Sequence, residues 1–275
     1  IICVHLAGWP CDMDAIMDLA KQHNLWVIED CAQAHGAKYK GKSVGSIGHI
    51  GAWSFCQDKI MTTGGEGGMV TTNDKTLWQK MWEFKDHGKN YDSVYHKKHP
   101  PGFRWLHDNF GTNWRMMEMQ AVIGRIQLTR MAQWTQTRIQ YANMLTEALL
   151  PFSSINGALH LPNSYFNTKL GADSVHAYYK YYVYLRPHNL PHGVTRDTIL
   201  QALNAQNIPC FSGTCPEVYL EKAFDNHPSK PKERLPTAKQ LGEESLMFLV
   251  HPSLTTEEMQ QICNVIKQLF TSLST

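Results

Sequence analysis

The sequence lacks the features that mark several classes of protein. It has no stretch of about eighteen apolar residues that would predict a membrane-spanning helix, and no signal-peptide pattern opens it. Basic residues form no long run, and the formal net charge is only +2, so nothing in the composition indicates nucleic-acid binding. We therefore expect neither a membrane nor a nucleic acid as a partner.

The seven cysteines include no Cys-x-x-Cys pair. An odd, scattered set is typical of reduced thiols in a cytoplasmic protein and not of a disulfide framework. His96 and His99 are spaced like two metal ligands, but without a cysteine or acid at ligand spacing they favour a solvated loop. We expect no metal site and a cytoplasmic location.

What the sequence does contain is an alternation of strand and helix patterns. With 275 residues, 43% of them hydrophobic, the chain can build one large domain or two modest ones. Apolar runs and helical spacing predict strands over 1–6, 25–28, 49–55 and 68–72 and helices over 12–23 and 75–86. The first three elements form a βαβ unit, which predicts an α/β fold with a largely parallel sheet.

The second half changes character. Helical spacing dominates over 115–149, with a break or bend expected near 129–133, and Pro151 with the Ser, Asn and Gly residues after it gives the clearest boundary. A strand and two helices, over 177–185, 195–206 and 255–269, then predict a small α/β domain. We expect residues 1–150 to form the larger domain and residues 151–275 the smaller one.

One lysine and one aspartate lie where a parallel sheet binds its ligands. Lys59 lies between a strand ending at Phe55 and a glycine cluster at 64–68, where a desolvated lysine can hold pyridoxal phosphate (PLP) as a Schiff base. Asp30 ends an apolar strand, where an acid can keep the pyridine nitrogen of PLP protonated. Taken alone, each also fits a plainer interpretation: Lys59 as a solvated turn residue and Asp30 as a helix cap or turn acid.

The order and spacing of several motifs give these residues a context. The sequence resembles the DegT-type sugar aminotransferases, which are PLP enzymes of fold type I acting on nucleotide-linked keto-sugars, over almost its whole length. The motifs that carry the resemblance are Asp30-Cys31-Ala32-Gln33, Gly41 to Ser46, Ser54-Phe55, Lys59, Gly64 to Gly68, Gly111 to Met116 and Gln120-Ala121. The resemblance implies that fold, with helices flanking a largely parallel sheet and a smaller C-terminal α/β domain.

The resemblance also implies a longer N-terminal portion, with a Gly-Thr phosphate-binding turn and an aromatic residue that stacks on PLP. Nothing in this sequence matches either feature. We therefore expect the chain to lack that portion.

Five residues receive cofactor roles from the resemblance. Lys59 would hold PLP and move the proton between cofactor and substrate carbons, and Asp30 would pair with the pyridinium nitrogen. Gln33 would hydrogen-bond the 3-hydroxyl oxygen of the ring, and Ser54 would hold the phosphate. Asn113 would reach the phosphate of the other subunit's PLP, which implies a homodimer with shared active sites.

The substrate side is less sharply defined. Arg115 would either clamp an anionic group or pin the following helix through a buried salt bridge, and the sequence favours neither. The loop over 87–108 holds Tyr91 and Trp105 among other aromatic residues and histidines. Such a loop would suit a nucleotide-sugar, with rings for the base and cations for the diphosphate, or would serve as a plug for the core.

The sequence thus predicts an aminotransferase that moves an amino group, from glutamate in our interpretation, to a nucleotide-linked keto-deoxysugar in surface-polysaccharide or secondary-metabolite synthesis. One alternative is a PLP-dependent sugar dehydratase of the same family, in which a histidine replaces the lysine; Lys59 argues against it. The other is a catalytically silent fragment that keeps the fold as a binding or assembly unit.

Overall fold

The computed structural model describes residues 1–162 and 170–273. The chain forms two compact units, the first made of Ile1–Ala132 with Asp173–His176 and the second of Gln133–Ala172 with Ala177–Thr275. Within the described ranges, no helix combines the length and the apolar character needed to cross a membrane. The predicted domain boundary between residues 150 and 151 lies later in the chain than this division into compact units. The two domains, 1–150 and 151–275, stay a prediction.

The first unit is built on a four-stranded sheet with the order β1-β2-β5-β6. The strands are β1 (Ile2–Val4), β2 (Ile28–Asp30), β5 (Ile50–Ser54) and β6 (Gly68–Thr71), and a separate small hairpin is formed by β3 (Lys38–Tyr39) and β4 (Lys42–Ser43). The first three strands of the sheet run parallel and β6 runs antiparallel to β5. Helix α1 (Met13–Gln22) connects β1 to β2, as the βαβ pattern predicts.

Strand β2 lies later than the sequence pattern predicted. Leu25 and Trp26 are exposed, and the Leu25 amide donates to Ala20 O, so Leu25 still belongs to the end of α1. Pairing begins only at Ile28, so Glu29 and Asp30 are strand residues and not the residues that follow a strand. Since side chains alternate along a strand, the two acids point to opposite faces of the sheet.

Helix α2 (Lys75–Lys85) follows β6, and the Asp74 carboxylate caps it by accepting from Thr76 N at 2.7 Å and Leu77 N at 2.9 Å. The short helix α3 (Tyr91–Tyr95) comes next. Backbone hydrogen bonds then join 84–90 to 106–114. Gly88 has φ +80°, and a Cβ there would lie 1.8 Å from Asn109 O, so this junction requires glycine.

Helix α4 (Glu118–Leu149) is continuous, and the break predicted near 129–133 is wrong. That stretch contains neither proline nor glycine, and the Thr129 hydroxyl bonds Ile126 O within the helix instead of opening it. Its first part belongs to the first unit and its second part to the other.

The second unit has a four-stranded antiparallel sheet with the order β7-β8-β10-β9. The strands are β7 (Leu159–His160), β8 (Tyr181–Leu185), β9 (Cys210–Phe211) and β10 (Ser245–Phe248), and the helices are α5 (Arg196–Ala205), α6 (Pro236–Glu244) and α7 (Thr256–Ser272). Alternate residues of β8 are buried in the same hydrophobic core as one face of α7, and Thr255 caps α7 as the sequence predicts. Single 3-10 turns occupy Leu6–Gly8, Leu150–Phe152, Pro187–Asn189, Val218–Leu220 and Lys222–Phe224.

Candidate active site

The carboxyl ends of β1, β2 and β5 lie at one edge of the first unit's sheet, because these strands are parallel neighbours. Open α/β sheets bind their ligands at this edge. Asp30 pairs with Ala52, and Ser54 follows Ala52 by one strand period, so Asp30 and Ser54 lie on the same face. Gln33 and Lys59 lie on the segments that follow β2 and β5.

Asp30 makes the turn contact that its plainer interpretation requires. Its Oδ1 accepts from Ala32 N at 3.0 Å. A carboxylate has about four lone-pair positions, so this contact leaves acceptor capacity for a ring N–H. The capping contact and a cofactor contact are therefore compatible.

Gln33 links two of the loops at this edge. Its Oε1 accepts the Ala7 amide at 2.8 Å, and Ala7 lies in the turn that follows β1. An N–H can only donate, so the amide oxygen faces Ala7 and the Nε2 donor faces away from it. This orientation fits the hydrogen bond predicted for the 3-hydroxyl oxygen of PLP.

Lys59 lies in a loop that is bound back onto the end of β5. Lys59 N donates to Cys56 O, and Phe55 O accepts both Thr63 N and the Thr62 hydroxyl. The Lys59 side chain is 17% exposed, and its Nζ lies 3.2 Å from Asp58 Oδ1. A mostly buried lysine in a fixed loop suits a covalent cofactor link.

Ser54 is the last residue of β5. Its Oγ accepts from Cys56 N at 3.3 Å, which leaves the hydroxyl proton to donate to an anion. The four predicted residues thus bring to this edge one acceptor, the Asp30 carboxylate, and three donors: the Gln33 amide, the Ser54 hydroxyl and the Lys59 amine. That set fits PLP, which needs an acid at its ring nitrogen, a donor at its 3-oxygen and an amine at its aldehyde.

Asn113 and Arg115 lie on another segment of the first unit. Asn113 is exposed and forms a backbone bridge with Asp86. Arg115 Nη1 lies 3.1 Å from Asp86 Oδ1, which also contacts Lys89 Nζ at 3.1 Å and His87 Nδ1 at 3.2 Å. Burial would raise the pKa of Asp86, but its Lys89 and His87 hydrogen bonds hold that pKa below the ordinary value.

The two aromatic candidates have different surroundings. Tyr91 packs edge-on against Trp78 and Trp82 of α2, with ring centroids 5.0 Å apart in both pairs. Trp105 is 89% exposed and contacts Phe103 at 5.0 Å. The loop therefore holds both a packed ring and an open one.

Sequence reasoning missed a buried pair beneath this edge. Glu29 and His5 are fully buried, and His5 Nε2 lies 3.1 Å from Glu29 Oε2. Glu29 also accepts from the amides of Gly45 at 2.7 Å, Ile47 at 2.8 Å and Gly48 at 2.5 Å. One sequence signal could have revealed the pair. Glu29 is an acid within a buried strand, and His5 lies two residues after Cys3, the residue that pairs with Glu29, so both side chains lie on the same face.

Comparison with known proteins decides the family. The sequence profile of the DegT/DnrJ/EryC1/StrS aminotransferase family matches residues 1–267. The chain belongs to this family. The resemblance predicted from the motifs is thereby confirmed, and membership implies PLP as the cofactor.

Two bacterial enzymes are similar to nearly the whole chain. The GDP-perosamine synthase of Escherichia coli O157:H7 is 34% identical over 270 residues, which are 98% of this chain and 65% of that protein. The dTDP-3-amino-3,6-dideoxy-alpha-D-galactopyranose transaminase of Aneurinibacillus thermoaerophilus is 30% identical over 268 residues, 98% of this chain and 64% of that protein. The chain thus spans a little under two thirds of these relatives.

One solved structure has a higher sequence identity to the chain than these relatives. The aminotransferase from Psychrobacter cryohalolentis is 62% identical and superimposes with a TM-score of 0.97, covering 100% of this chain and 69% of that chain. A structure from Brucella abortus is 25% identical with a TM-score of 0.80, covering 98% of this chain and 64% of that chain. These likenesses confirm the predicted α/β fold class.

Proposed function

We propose that this chain carries the cofactor site of a PLP-dependent aminotransferase that acts on a nucleotide-linked keto-deoxysugar. The main support is the placement of four residues at the carboxyl ends of parallel strands. Asp30 and Ser54 end β2 and β5, and Gln33 and Lys59 lie on the segments that follow these strands. The similarity to enzymes named for GDP-linked and dTDP-linked amino sugars supports the substrate class. We further propose glutamate as amino donor, a role in polysaccharide or secondary-metabolite sugar synthesis, and a cytoplasmic location.

Each residue has a defined task in this proposal. When bound, PLP supplies an aldehyde carbon that takes up an amino group and a ring that stabilises negative charge on the adjoining carbon. Lys59 Nζ holds the cofactor and carries the proton between donor and acceptor carbons. The Asp30 carboxylate holds a proton at the ring nitrogen, while Gln33 Nε2 and the Ser54 hydroxyl donate to the 3-oxygen and the phosphate.

The working unit in our proposal is a homodimer. The part of α4 in the first unit exposes Met119, Val122 and Ile126, which share one helix face at i, i+3 and i+7. An apolar stripe of this kind is typical of an interface. The exposed Asn113 lies just before this helix, which supports its proposed donation to the neighbouring subunit's cofactor.

Arg115, Tyr91 and Trp105 stay proposed contacts of the nucleotide-sugar. The Arg115 side chain is 47% exposed although Nη1 bonds to Asp86, so its remaining N–H groups can reach an anion. The open ring of Trp105 can stack on a base, whereas Tyr91 would act from within its aromatic cluster.

The test is amino transfer by the natural protein that contains this chain. Loaded with PLP, it should convert glutamate and a nucleotide-linked keto-deoxysugar to 2-oxoglutarate and the amino sugar, with the amino sugar detected by mass spectrometry. Lys59→Ala should reduce the rate by more than about 10³-fold, since it removes the proton carrier. Lys42→Ala, at an exposed position of β4, is the matched control and should leave the rate unchanged.

Two outcomes would contradict the proposal. A wild-type protein that takes up no PLP would favour the silent-fragment alternative. A Lys59→Ala variant that transfers the amino group at the wild-type rate would remove the lysine from the chemistry.

A further inference from the structure

The orientation of the Gln33 amide depends on the turn that follows β1. Ala7 N lies 2.8 Å from Gln33 Oε1, and a flip of the amide would set two donors against each other. Ala7 has φ +57°, a left-handed conformation that is uncommon for a residue with a Cβ. The surrounding structure must therefore hold the turn Leu6–Gly8 in place.

His5 holds this turn from both sides. Its Nδ1 accepts the Cys11 amide at 3.0 Å, and its Nε2 lies 3.1 Å from Glu29 Oε2. A backbone N–H on Nδ1 requires a lone pair there, so the ring proton is on Nε2 and is donated to Glu29. His5 thus ties residue 5 to residue 11, and the left-handed Ala7 lies between them.

Glu29 is a fixed anchor for His5. It accepts four hydrogen bonds, from His5 and from the amides of Gly45, Ile47 and Gly48, and it is fully buried. Burial would raise the pKa of Glu29, but the His5 bond and the three amides outweigh burial and hold that pKa below the ordinary value. The anchor is therefore an ionised carboxylate on the face opposite Asp30.

A metal ion is the rival explanation for this cluster. Ligand atoms of His5, Glu29 and Cys31 lie within 4.8 Å of one another. Both ring nitrogens of His5 and both oxygens of Glu29 already have hydrogen-bond partners, and three of these partners are backbone amides that point at the carboxylate. A cation would face those amides, so the arrangement favours the hydrogen-bonded pair.

We propose that the buried Glu29–His5 pair is a positioning relay for Gln33. Glu29 fixes the tautomer and orientation of His5, His5 fixes the left-handed turn at Ala7, and the Ala7 amide leaves Gln33 Nε2 as the group that meets the 3-oxygen of the cofactor. The relay rests on the proposed PLP function, and its members act through Gln33 without touching the reacting atoms.

The first arm of the test needs no cofactor. His5→Gln keeps a donor near Glu29 but removes the acceptor for Cys11, so amide exchange at Ala7, followed by NMR, should accelerate about tenfold, as for loss of one hydrogen bond. His49→Gln is the matched control, because His49 Nδ1 also accepts a backbone amide, that of Val27 at 2.9 Å. Unchanged Ala7 exchange in folded His5→Gln protein would overturn the relay.

The second arm uses the PLP-loaded protein. His5→Gln and Gln33→Met should each shift the pH at which the visible absorbance band of bound PLP changes, and the double variant should shift it no further than Gln33→Met alone. Additive shifts would overturn the relay while leaving the proposed function intact. A wild-type protein without a PLP band would overturn the proposed function, and with it the relay's role, whatever the first arm shows. Should His5→Gln not fold, Cys11→Pro replaces it, because it removes the amide that His5 Nδ1 accepts. It should shift the band in the same direction as Gln33→Met, and an unchanged band in folded Cys11→Pro protein would overturn the relay.

Discussion

Replacing Glu29 by Gln should strongly destabilise the first unit. In the structure Oε1 accepts from Ile47 and Gly48, and Oε2 accepts from His5 and Gly45. An amide has a single acceptor oxygen, so either orientation leaves two donors without an acceptor: the buried pair from His5 and Gly45, or the partly buried pair from Ile47 and Gly48. Each such donor costs about 1–3 kcal/mol, which gives a loss of about 2–6 kcal/mol in the free energy of unfolding.

Urea unfolding followed by tryptophan fluorescence measures this loss. All tryptophans except Trp134 lie in the first unit, so the signal reports mainly on it. The midpoint of Glu29→Gln should fall by about 1 M or more at an unchanged slope. Glu118→Gln, at an exposed residue, is the control and should stay within about 0.5 kcal/mol of wild type. A Glu29→Gln midpoint equal to wild type would refute the reasoning.

The Glu29 carboxylate also makes the free energy of unfolding depend on pH. Its folded-state pKa lies below the ordinary value, so its contribution is fully present above the ordinary Glu pKa of about 4.3 and is lost as pH falls through the lower folded-state value. Wild type should therefore lose more stability than Glu29→Gln between neutral pH and the acid range. An identical pH profile for both proteins would contradict an ionised Glu29.

Three further predictions concern the site and the fold. Asp30→Asn should slow the glutamate half-reaction by about 10²-fold or more while weakening PLP binding far less, measured by stopped-flow absorbance; near-wild-type rates would make Asp30 a turn residue only. Mixing inactive Asn113→Ala and Lys59→Ala proteins should restore about one quarter of wild-type activity, since half of the dimers gain one intact site; demonstrated exchange without activity would refute the shared site. Gly88→Ala should lower the free energy of unfolding, measured by thermal unfolding, by about 2 kcal/mol or more, because the new Cβ would lie 1.8 Å from a carbonyl oxygen. Gly41→Ala is the control and should cost less, because Gly41 has the same φ of +80° but open space around it. Equal losses in the two variants would contradict the close approach at Gly88.

Periodicity was a reliable guide where a helix has one apolar face and a cap. The predicted helices over 12–23 and 75–86 correspond to Met13–Gln22 and Lys75–Lys85, each preceded by an aspartate whose carboxylate accepts backbone amides. The break expected near 129–133 was wrong, because a weakly amphipathic stretch without proline or glycine still makes a continuous helix.

Strand register could not be predicted, because it depends on partners far along the chain. The apolar run at 25–28 suggested a strand there, yet only Ile28 of that run pairs, with Ile2 and Ile50. The strand lies two to three residues later than predicted, and this shift hid Glu29, whose four hydrogen-bond donors come from residues 5 and 45–48. Long-range polar networks of this kind leave no local pattern in the sequence.

Part of the candidate site could be predicted from the sequence and part could not. Asp30, Gln33, Ser54 and Lys59 follow or end strands, so motif order and strand topology together predict one edge for all of them. The partner of Arg115 could not be predicted, since Asp86 meets it only through the junction of 84–90 with 106–114.

Identification of the cofactor lysine tests the central claim most directly. Borohydride reduction of the PLP-loaded natural protein, followed by peptide mapping, fixes the pyridoxyl group on the lysine that holds it. We expect the label on Lys59, with no label on the Lys59→Ala variant. A label on another lysine, or an unlabelled wild-type protein, would contradict the proposed function.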